Sequence, residues 1–261
     1  MTNRCGTRGV RPVPQIPFTD LPLLLDNPLA SEHAQLSVGA LRQRIAQAGD
    51  PGVMEVYAYA VTSVEPHQGR FLQTGSAPNC AGGLITLGTC KHEMRTARSP
   101  EDWVRGGFWI AGLSSWDAKF GKEQSLIYLM RVGAAYDSHA ALVEALRAAG
   151  REDIVAAKDA SRNRLGDLYV PTRPMRTLED RLTISAYAPP LLGHAHCGHP
   201  GDTSWHDDIR HIGKNQLPAA ILVGDPAWSF TWDRPMVFRN NPGPTRSCRR
   251  WTLSHLLNDL R

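Results

Sequence analysis

The sequence has no long apolar run and very little lysine. No stretch approaches the ~20 apolar residues that a membrane-spanning helix needs, and residues 1–14 hold arginine and proline without the apolar segment of a secretory signal. We therefore expect a cytoplasmic protein without membrane partners. Lysine occurs only at positions 91, 119, 122, 158 and 214, so nearly all of the 29 basic residues are arginine.

Cysteine is scarce as well, and the common enzyme motifs are missing. The five cysteines are odd in number and widely separated, which is typical of reduced thiols and not of a disulfide framework. The sequence has no P-loop, no G-x-G-x-x-G after an expected strand, no G-x-S-x-G and no H-E-x-x-H. These absences leave little support for a dinucleotide-binding fold, a serine-hydrolase elbow or a zinc-protease helix.

The remaining composition is that of a globular protein. Hydrophobic residues make up 42% and charged residues 21%, and the formal net charge is +4. Arginine forks bind phosphate and stack on bases, although a GC-rich genome also favours arginine over lysine. A nearly neutral charge fits a pocket that reads one base better than a long electrostatic groove.

Hydrophobic periodicity predicts helices and strands without regular βαβ order. Strands are expected over residues 53–64, 84–89, 102–113, 125–134, 181–187, 219–223 and 228–232, and helices over 32–48, 138–149, 153–160 and 251–260. Residues 65–83 are expected to form a long loop. This mixture favours an α+β fold with flanking helices, in which a mixed or mostly antiparallel sheet is curved or closed into a barrel.

The chain divides at the Gly-Pro-rich turn that spans residues 49–52. Residues 1–52 are interpreted as an extended arm followed by a helix that Ser31 caps, and residues 53–261 as the globular domain. The arm is a candidate surface for self-association or for binding a partner.

A series of short motifs runs from the first expected strand to residue 132. Ala77-Pro78-Asn79 is followed by Leu84 to Lys91 (L-I-T-L-G-T-C-K), by Met94-Arg95, and by the strand Leu126 to Val132 (L-I-Y-L-M-R-V). A histidine-bearing segment, His206 to His211, precedes Ile221-Leu222-Val223-Gly224-Asp225. In this order the motifs resemble the nucleotide modification associated domain family of type 2, over roughly residues 53–235.

The resemblance implies a field of activity and not a particular reaction. It points to systems that alter bases in DNA, with a nucleotide or DNA as the partner. By fold-level analogy it suggests a PUA-like barrel that holds a modified base in a pocket. The family's G-D-W turn is replaced here by Glu101-Asp102-Trp103, and residues 1–52 lie outside the family pattern.

The loop and strand end around residues 79–95 form the first candidate site. Asparagine can pair with the edge of a base, and lysine or arginine can hold phosphate. The candidate ligand-binding residues are Asn79, Thr89, Lys91, Arg95 and, as an aromatic wall for a flipped base, Trp116. The alternative interpretation is that Asn79 organises its own loop, that Lys91 is solvated and that most tryptophans are core residues.

Cysteine and histidine supply the candidate catalytic groups. Cys90 is a candidate nucleophile because Lys91 and His92 would lower the pKa of its thiol, although most intracellular cysteines are small buried hydrophobes. His206 and His211 are candidates for general acid or base, since imidazole titrates near neutral pH.

A dense group of possible metal ligands precedes these two histidines. His194, His196, Cys197 and His199 could hold zinc, although the H-x-H-C-x-H spacing is not a standard zinc motif. Three functional classes therefore stay open. They are a binding module for a nucleobase or nucleotide, an enzyme (transferase or hydrolase) with a Cys/His or metal site, and a structural or assembly component.

Overall fold

A sheet of six strands forms the centre of the fold. The computed structural model describes residues 21–24, 29, 31–194, 197–240, 243 and 248–261. The strands of the sheet are β1 (Glu55–Val61), β4 (Thr86–Leu87), β5 (Trp109–Ser114), β6 (Ser125–Tyr136), β7 (Ile221–Val237) and β8 (Arg249–Thr252); β2 (Val64–His67) and β3 (Arg70–Gln73) form a separate hairpin.

The sheet has the order β4–β7–β6–β5–β1–β8. Only β1 and β5 are parallel, and every other neighbouring pair is antiparallel. The expectation of an α+β fold with a mixed, mostly antiparallel sheet is therefore confirmed. Within the described residues β4 and β8 are the two ends of the sheet and do not pair with each other, so the sheet is open and is not a closed barrel.

Eight short helices surround the sheet in the described part of the chain. They are α1 (Val38–Ala46), α2 (His92–Arg95), α3 (Pro100–Arg105), α4 (His139–Ala148), α5 (Glu152–Lys158), α6 (Leu178–Arg181), α7 (His206–Arg210) and α8 (Leu253–Asn258). None of these helices has the length and apolar character needed to cross a membrane.

Alternating side chains of β1 enter two separate cores. Tyr57, Tyr59 and Val61 pack on one face together with Trp103 of α3 and Met94 of α2. Val56 and Ala58 pack on the other face, where α1 and α8 contribute Leu41, Ile45, Leu253, Leu256 and Leu257. The helix before residue 49 therefore packs directly on the sheet that follows it in the chain.

The strand over residues 125–134 and the helix after Ser138 are confirmed. Leu126 through Met130 are fully buried because β6 lies between β5 and β7 with cores on both faces. The hydroxyl of Ser138 accepts a hydrogen bond from the Ala141 amide and caps α4.

The prediction of a strand over residues 102–113 is wrong in its first half. Ser99 caps α3 by accepting a hydrogen bond from the Asp102 amide, and Pro100 occupies the first helical turn. A Ser-Pro start followed by two acidic residues is a helix signal. The strand begins only at Trp109, after the turn at Gly106-Gly107.

The prediction of a strand over residues 181–187 is also wrong. Thr177 accepts a hydrogen bond from the Asp180 amide and starts α6, which a 3-10 turn at Ile184–Ala186 follows. Residues 65–83 are not a simple loop, because Gln68 and Gly69 both have positive φ and connect β2 to β3 as a tight hairpin turn.

Candidate functional site

Buried polar side chains gather where β4 meets the loop before it, α2, α4, α5 and α7. We call this group the polar cluster. Every one of its members except His92 is at most 2% exposed; the members are Asn79, Thr86, His92, Arg95, His139, Lys158, Asp167, Tyr169 and Asp208. Polar groups are buried together in this way only when most of them are hydrogen-bonded to one another.

Lys158, at the end of α5, is the centre of one half of the polar cluster. Its Nζ donates to Asn79 Oδ1 at 2.7 Å and to Thr86 Oγ1 at 2.8 Å, and lies 3.8 Å from Asp167 Oδ1. Thr86 Oγ1 in turn donates to Asp167 Oδ2 at 2.6 Å. Burial lowers the pKa of Lys158 and raises the pKa of Asp167, while each charge opposes the shift of the other.

Arg95 fixes the chain around Cys90. Its Nε donates to the carbonyl oxygen of Cys90 at 2.7 Å, and Nη1 donates to the carbonyls of Ala219 and Ala220 at 3.0 and 2.9 Å. Nη2 has no hydrogen-bond partner among the described residues. Two N–H donors of a completely buried guanidinium, both on Nη2, are therefore left for further acceptors.

His139, the first residue of α4, is buried and neutral. Burial lowers its pKa to about 3, and the nearby charge of Arg95 acts in the same direction. Nδ1 accepts a weak hydrogen bond from the Tyr169 amide at 3.4 Å, so the single ring proton lies on Nε2. That Nε2 forms no hydrogen bond in the described part of the chain, and neither does Asp167 Oδ1, which is in an ion pair with Lys158 Nζ at 3.8 Å.

The three atoms without a hydrogen bond belong to residues that surround the segment 88–90. A Cβ on Gly88 would lie 2.8 Å from the Asp167 carbonyl oxygen and 3.2 Å from His139 Cε1. Arg95 holds the carbonyl of Cys90 at the other end of the segment. The segment between β4 and α2 is thus bordered by three residues that each carry one buried polar atom without a hydrogen bond in the described part of the chain.

The other half of the polar cluster is a hydrogen-bonded series of three side chains. His92 Nε2 lies 2.8 Å from Asp208 Oδ1, and the hydroxyl of Tyr169 donates to Asp208 Oδ2 at 2.7 Å. The side chain of Asp208 is fully buried, whereas that of His92 is 21% exposed. His92 also stacks on His211, with ring centroids 4.9 Å apart. His92 and His211 therefore form the solvent-facing edge of the polar cluster.

Asn79 and Thr89 lie at this site but are occupied by protein partners. Asn79 donates from Nδ2 to the Leu165 carbonyl at 2.7 Å and accepts at Oδ1 from the Ala81 amide and from Lys158. Thr89 Oγ1 is paired with Ser76 Oγ at 2.8 Å. We therefore assign both side chains to the structure of the loop and do not count them as ligand contacts.

Lys91 is placed closer to solvent than these two residues. It has a positive φ of 58° immediately before α2 and its side chain is only partly buried. Its ammonium lies 5.0 Å from the centroid of the Tyr59 ring, a cation–π contact. Lys91 directly precedes His92 in the chain, and its ammonium contacts Tyr59, which lies in the core on that face of the sheet and not in the polar cluster.

The expectation of a lowered thiol pKa at Cys90 is wrong. Burial raises the pKa of Cys90 to about 11, and the neighbouring charges of Arg95 and Lys91 oppose this shift without overcoming it. A thiol with such a pKa is protonated at neutral pH and is a poor nucleophile. Cys90 packs instead against the core on the Tyr59 face of the sheet.

The two favoured histidines differ in position. His211 stacks on His92, and its Nε2 lies 3.7 Å from Glu93 Oε1. His206 packs its ring against Trp205, with centroids 4.5 Å apart, and no hydrogen bond or ion pair links it to the polar cluster in the described part of the chain. Only His211 is therefore in direct contact with the polar cluster.

The described candidate metal ligands differ in burial, although the backbones of His194 and Cys197 form a β-bridge. His194 is buried with Nε2 2.7 Å from the Gly166 carbonyl, Cys197 is half-buried, and His199 is exposed. His196 lies outside the described residues. Among the residues that are described, no group of three or more His, Cys, Asp or Glu side chains has the arrangement of a metal site.

Trp116 stands apart from the polar cluster. Its side chain is 56% exposed on the turn after β5, and Nε1 donates to the Lys122 carbonyl at 2.7 Å. Tyr169, by contrast, is buried beside His139, and the centroids of the two rings are 4.8 Å apart. Tyr169 is thus an aromatic member of the polar cluster itself.

Sequence reasoning missed Lys158, Asp167, Tyr169 and His139 entirely. Three of these residues lie between positions 158 and 169, where no quoted motif falls, and His139 looks like an ordinary first residue of a helix after Ser138. A usable signal was present, because Gly166-Asp167-Leu168-Tyr169 places a carboxyl and an aromatic ring directly after a turn.

No protein-family model, no curated protein and no solved structure matches this chain. The resemblance to the nucleotide modification associated domain family therefore depends on the quoted motifs alone. Three parts of those motifs meet in or next to the polar cluster. They are the loop with Asn79, the segment with Cys90 and Lys91, and Arg95.

Proposed function

We propose that the protein binds a nucleobase or nucleotide at the polar cluster, and that its preferred ligand is a modified base in DNA. The observation that carries the proposal is a set of three buried atoms that form no hydrogen bond within the described residues, on side chains around residues 88–90. Arg95 Nη2 and His139 Nε2 are donors, and Asp167 Oδ1 is an acceptor. A base edge that carries both carbonyl and N–H groups is complementary to such a set.

The edge of the polar cluster supports the same proposal. A base would enter past the stacked rings of His92 and His211, which provide flat surfaces for stacking. Lys91 directly precedes His92 in the chain, and its partly buried ammonium would attract the phosphate of a nucleotide. The motifs that suggested nucleotide chemistry contribute Arg95 and Lys91 to this arrangement.

Binding of a ligand panel tests the proposal. The panel contains mononucleotides, single-stranded DNA and duplex DNA, each with and without modified bases, at two salt concentrations. We expect one modified base to bind at least about tenfold more tightly than its plain counterpart, at both salt concentrations. Uniform weak binding that disappears in high salt would show only that arginines attract phosphate, and it would contradict base recognition.

The Lys91→Gln variant separates recognition of phosphate from recognition of the base. We expect it to weaken nucleotide binding about tenfold and to leave binding of the free base unchanged, since only the phosphate loses its cation. Lys214→Gln is the matched control, because Lys214 is an exposed lysine outside the polar cluster. Equal effects of the two substitutions would place the phosphate elsewhere.

A further inference from the structure

The three-membered series of His92, Asp208 and Tyr169 has the geometry of a proton-transfer site. Asp208 is fully buried and receives hydrogen bonds on both of its oxygens, from the His92 ring and from the Tyr169 hydroxyl. His92 connects this buried carboxyl to the solvent-facing edge of the polar cluster. Base binding as proposed above uses neither the carboxyl of Asp208 nor the second ring nitrogen of His92.

The protonation of the series follows from its surroundings. Burial raises the pKa of Tyr169, so its hydroxyl keeps its proton and donates to Asp208. Burial also lowers the pKa of His92, although the hydrogen bond to Asp208 opposes this shift. The ring is then neutral at pH 7 and has a single N–H. Because a carboxylate only accepts, that N–H is on Nε2.

The second nitrogen, Nδ1, therefore holds a lone pair. It has no hydrogen-bond partner among the described residues, while Nε2 is fixed by Asp208. The charged and titratable groups around the ring are Arg95 on its own helix, Asp208 on α7, His211 just after α7 and His139 on α4. A histidine whose tautomer is fixed by a buried carboxylate is the arrangement that general-base catalysis requires.

We infer that His92 is a general base, positioned by Asp208 and Tyr169, that activates water for hydrolysis of a bound ligand. In this step the water O–H bond breaks and its proton goes to Nδ1, while the oxygen forms a bond to an electrophilic carbon of the ligand. The resulting imidazolium is stabilised by Asp208. It returns the proton to the leaving group as the scissile bond breaks, so the enzyme ends in its starting state. No other reactant is needed.

This assignment differs from the one that the sequence favoured. Cys90 is a protonated thiol, and His206 lies against Trp205. His211 contacts His92 through its ring face, which makes it a positioning residue at most. The assignment also does not depend on whether a nucleobase is the natural ligand, so it can fail or succeed independently of the proposed function.

Site-resolved acylation with diethyl pyrocarbonate tests the lone pair on Nδ1. The folded protein is labelled between pH 5 and 8, and mass spectrometry of its peptides gives the carbethoxylation rate of each histidine. We expect His92 to react in the wild type and to react at least about tenfold more slowly in Asp208→Asn, because an amide N–H donates to Nε2 and moves the ring proton to Nδ1. An unchanged rate in Asp208→Asn would overturn the inference.

Asp207→Asn is the matched control for this substitution. Asp207 is the neighbouring carboxylate on α7, is exposed, and forms only a 3.9 Å ion pair with Arg210. We expect the acylation rate of His92 in this variant to equal that of the wild type. If Asp208→Asn fails to fold, Tyr169→Phe replaces it; loss of the hydroxyl should change the pH at which His92 becomes reactive, and no change would count against the inference.

Hydrolysis of p-nitrophenyl acetate tests catalysis itself. We expect the wild type and Asp207→Asn to hydrolyse this ester above the buffer rate, with a rate that rises with pH as His92 loses its proton. His92→Gln should reduce the rate about tenfold or more. His255→Gln, which alters an exposed histidine whose ring lies at a tilt against Trp251, should not. Equal rates for the wild type and His92→Gln would overturn the catalytic role.

Discussion

Lys158→Met is expected to lower the free energy of unfolding by about 3–5 kcal/mol. The ammonium of Lys158 is fully buried and supplies hydrogen bonds to Asn79 and Thr86, and it neutralises the charge of Asp167. Methionine fills a similar volume but leaves the Asp167 carboxyl buried without its cation. Urea denaturation at neutral pH, followed by circular dichroism, measures the loss.

Two further variants show whether the unpaired carboxyl causes this loss. Lys158→Met combined with Asp167→Leu should recover part of the stability, because replacing both partners of a buried ion pair costs less than replacing one. Lys214→Met, at an exposed position, should change the unfolding free energy by less than about 0.5 kcal/mol. A loss below about 1 kcal/mol in Lys158→Met would mean that the ion pair contributes little to the fold.

Acidification from pH 7 to pH 5 is expected to destabilise the wild type by about 2 kcal/mol through His139 alone. In the folded protein burial lowers the pKa of His139 to about 3, whereas an unfolded histidine titrates near ~6.5. At a pH between these two pKa values the imidazole of His139 binds a proton in the unfolded state and does not bind one in the folded state. The contribution of His139 is therefore fully present above pH ~6.5 and is lost progressively towards pH ~3.

The His139→Gln variant isolates this effect. Between pH 7 and pH 5 its unfolding free energy should fall by about 2 kcal/mol less than that of the wild type. This difference is expected whatever the stability of the variant at pH 7. His255→Gln should keep the pH dependence of the wild type, because His255 is exposed. Parallel curves for the wild type and His139→Gln would show that the imidazole is not held neutral in the fold.

Elements with strong local signals were predictable from the sequence. The apolar run from Leu126 to Met130 predicts a buried strand, and Ser138 before an amphipathic segment predicts the start of α4. The errors occurred where a capping residue just before an expected strand was not recognised as the start of a helix. Ser99 and Thr177 each start a helix of six residues or fewer, which is too short to show a helical period.

The candidate site was predictable only in part, because its residues are joined by tertiary structure. Asn79, Cys90, Lys91 and Arg95 stand close together in the sequence and belong to the short motifs, so the sequence indicates them as site residues. The sequence does not indicate Lys158, because a lysine in the last turn of a helix usually faces solvent and complements the helix dipole. Nothing in the local sequence indicates that α5 packs beside β4, which buries this lysine against Asp167.

The two outermost strands of the sheet have a consequence for the behaviour of the protein at high concentration. They are its shortest strands, with two residues in β4 and four in β8, against twelve and seventeen in the central pair. β8 also begins with Arg249 and Arg250, which are both exposed. Short edge strands, one of them positively charged, offer little free backbone to another chain. The long apolar strands are kept in the interior, where they cannot start β-sheet aggregation between molecules.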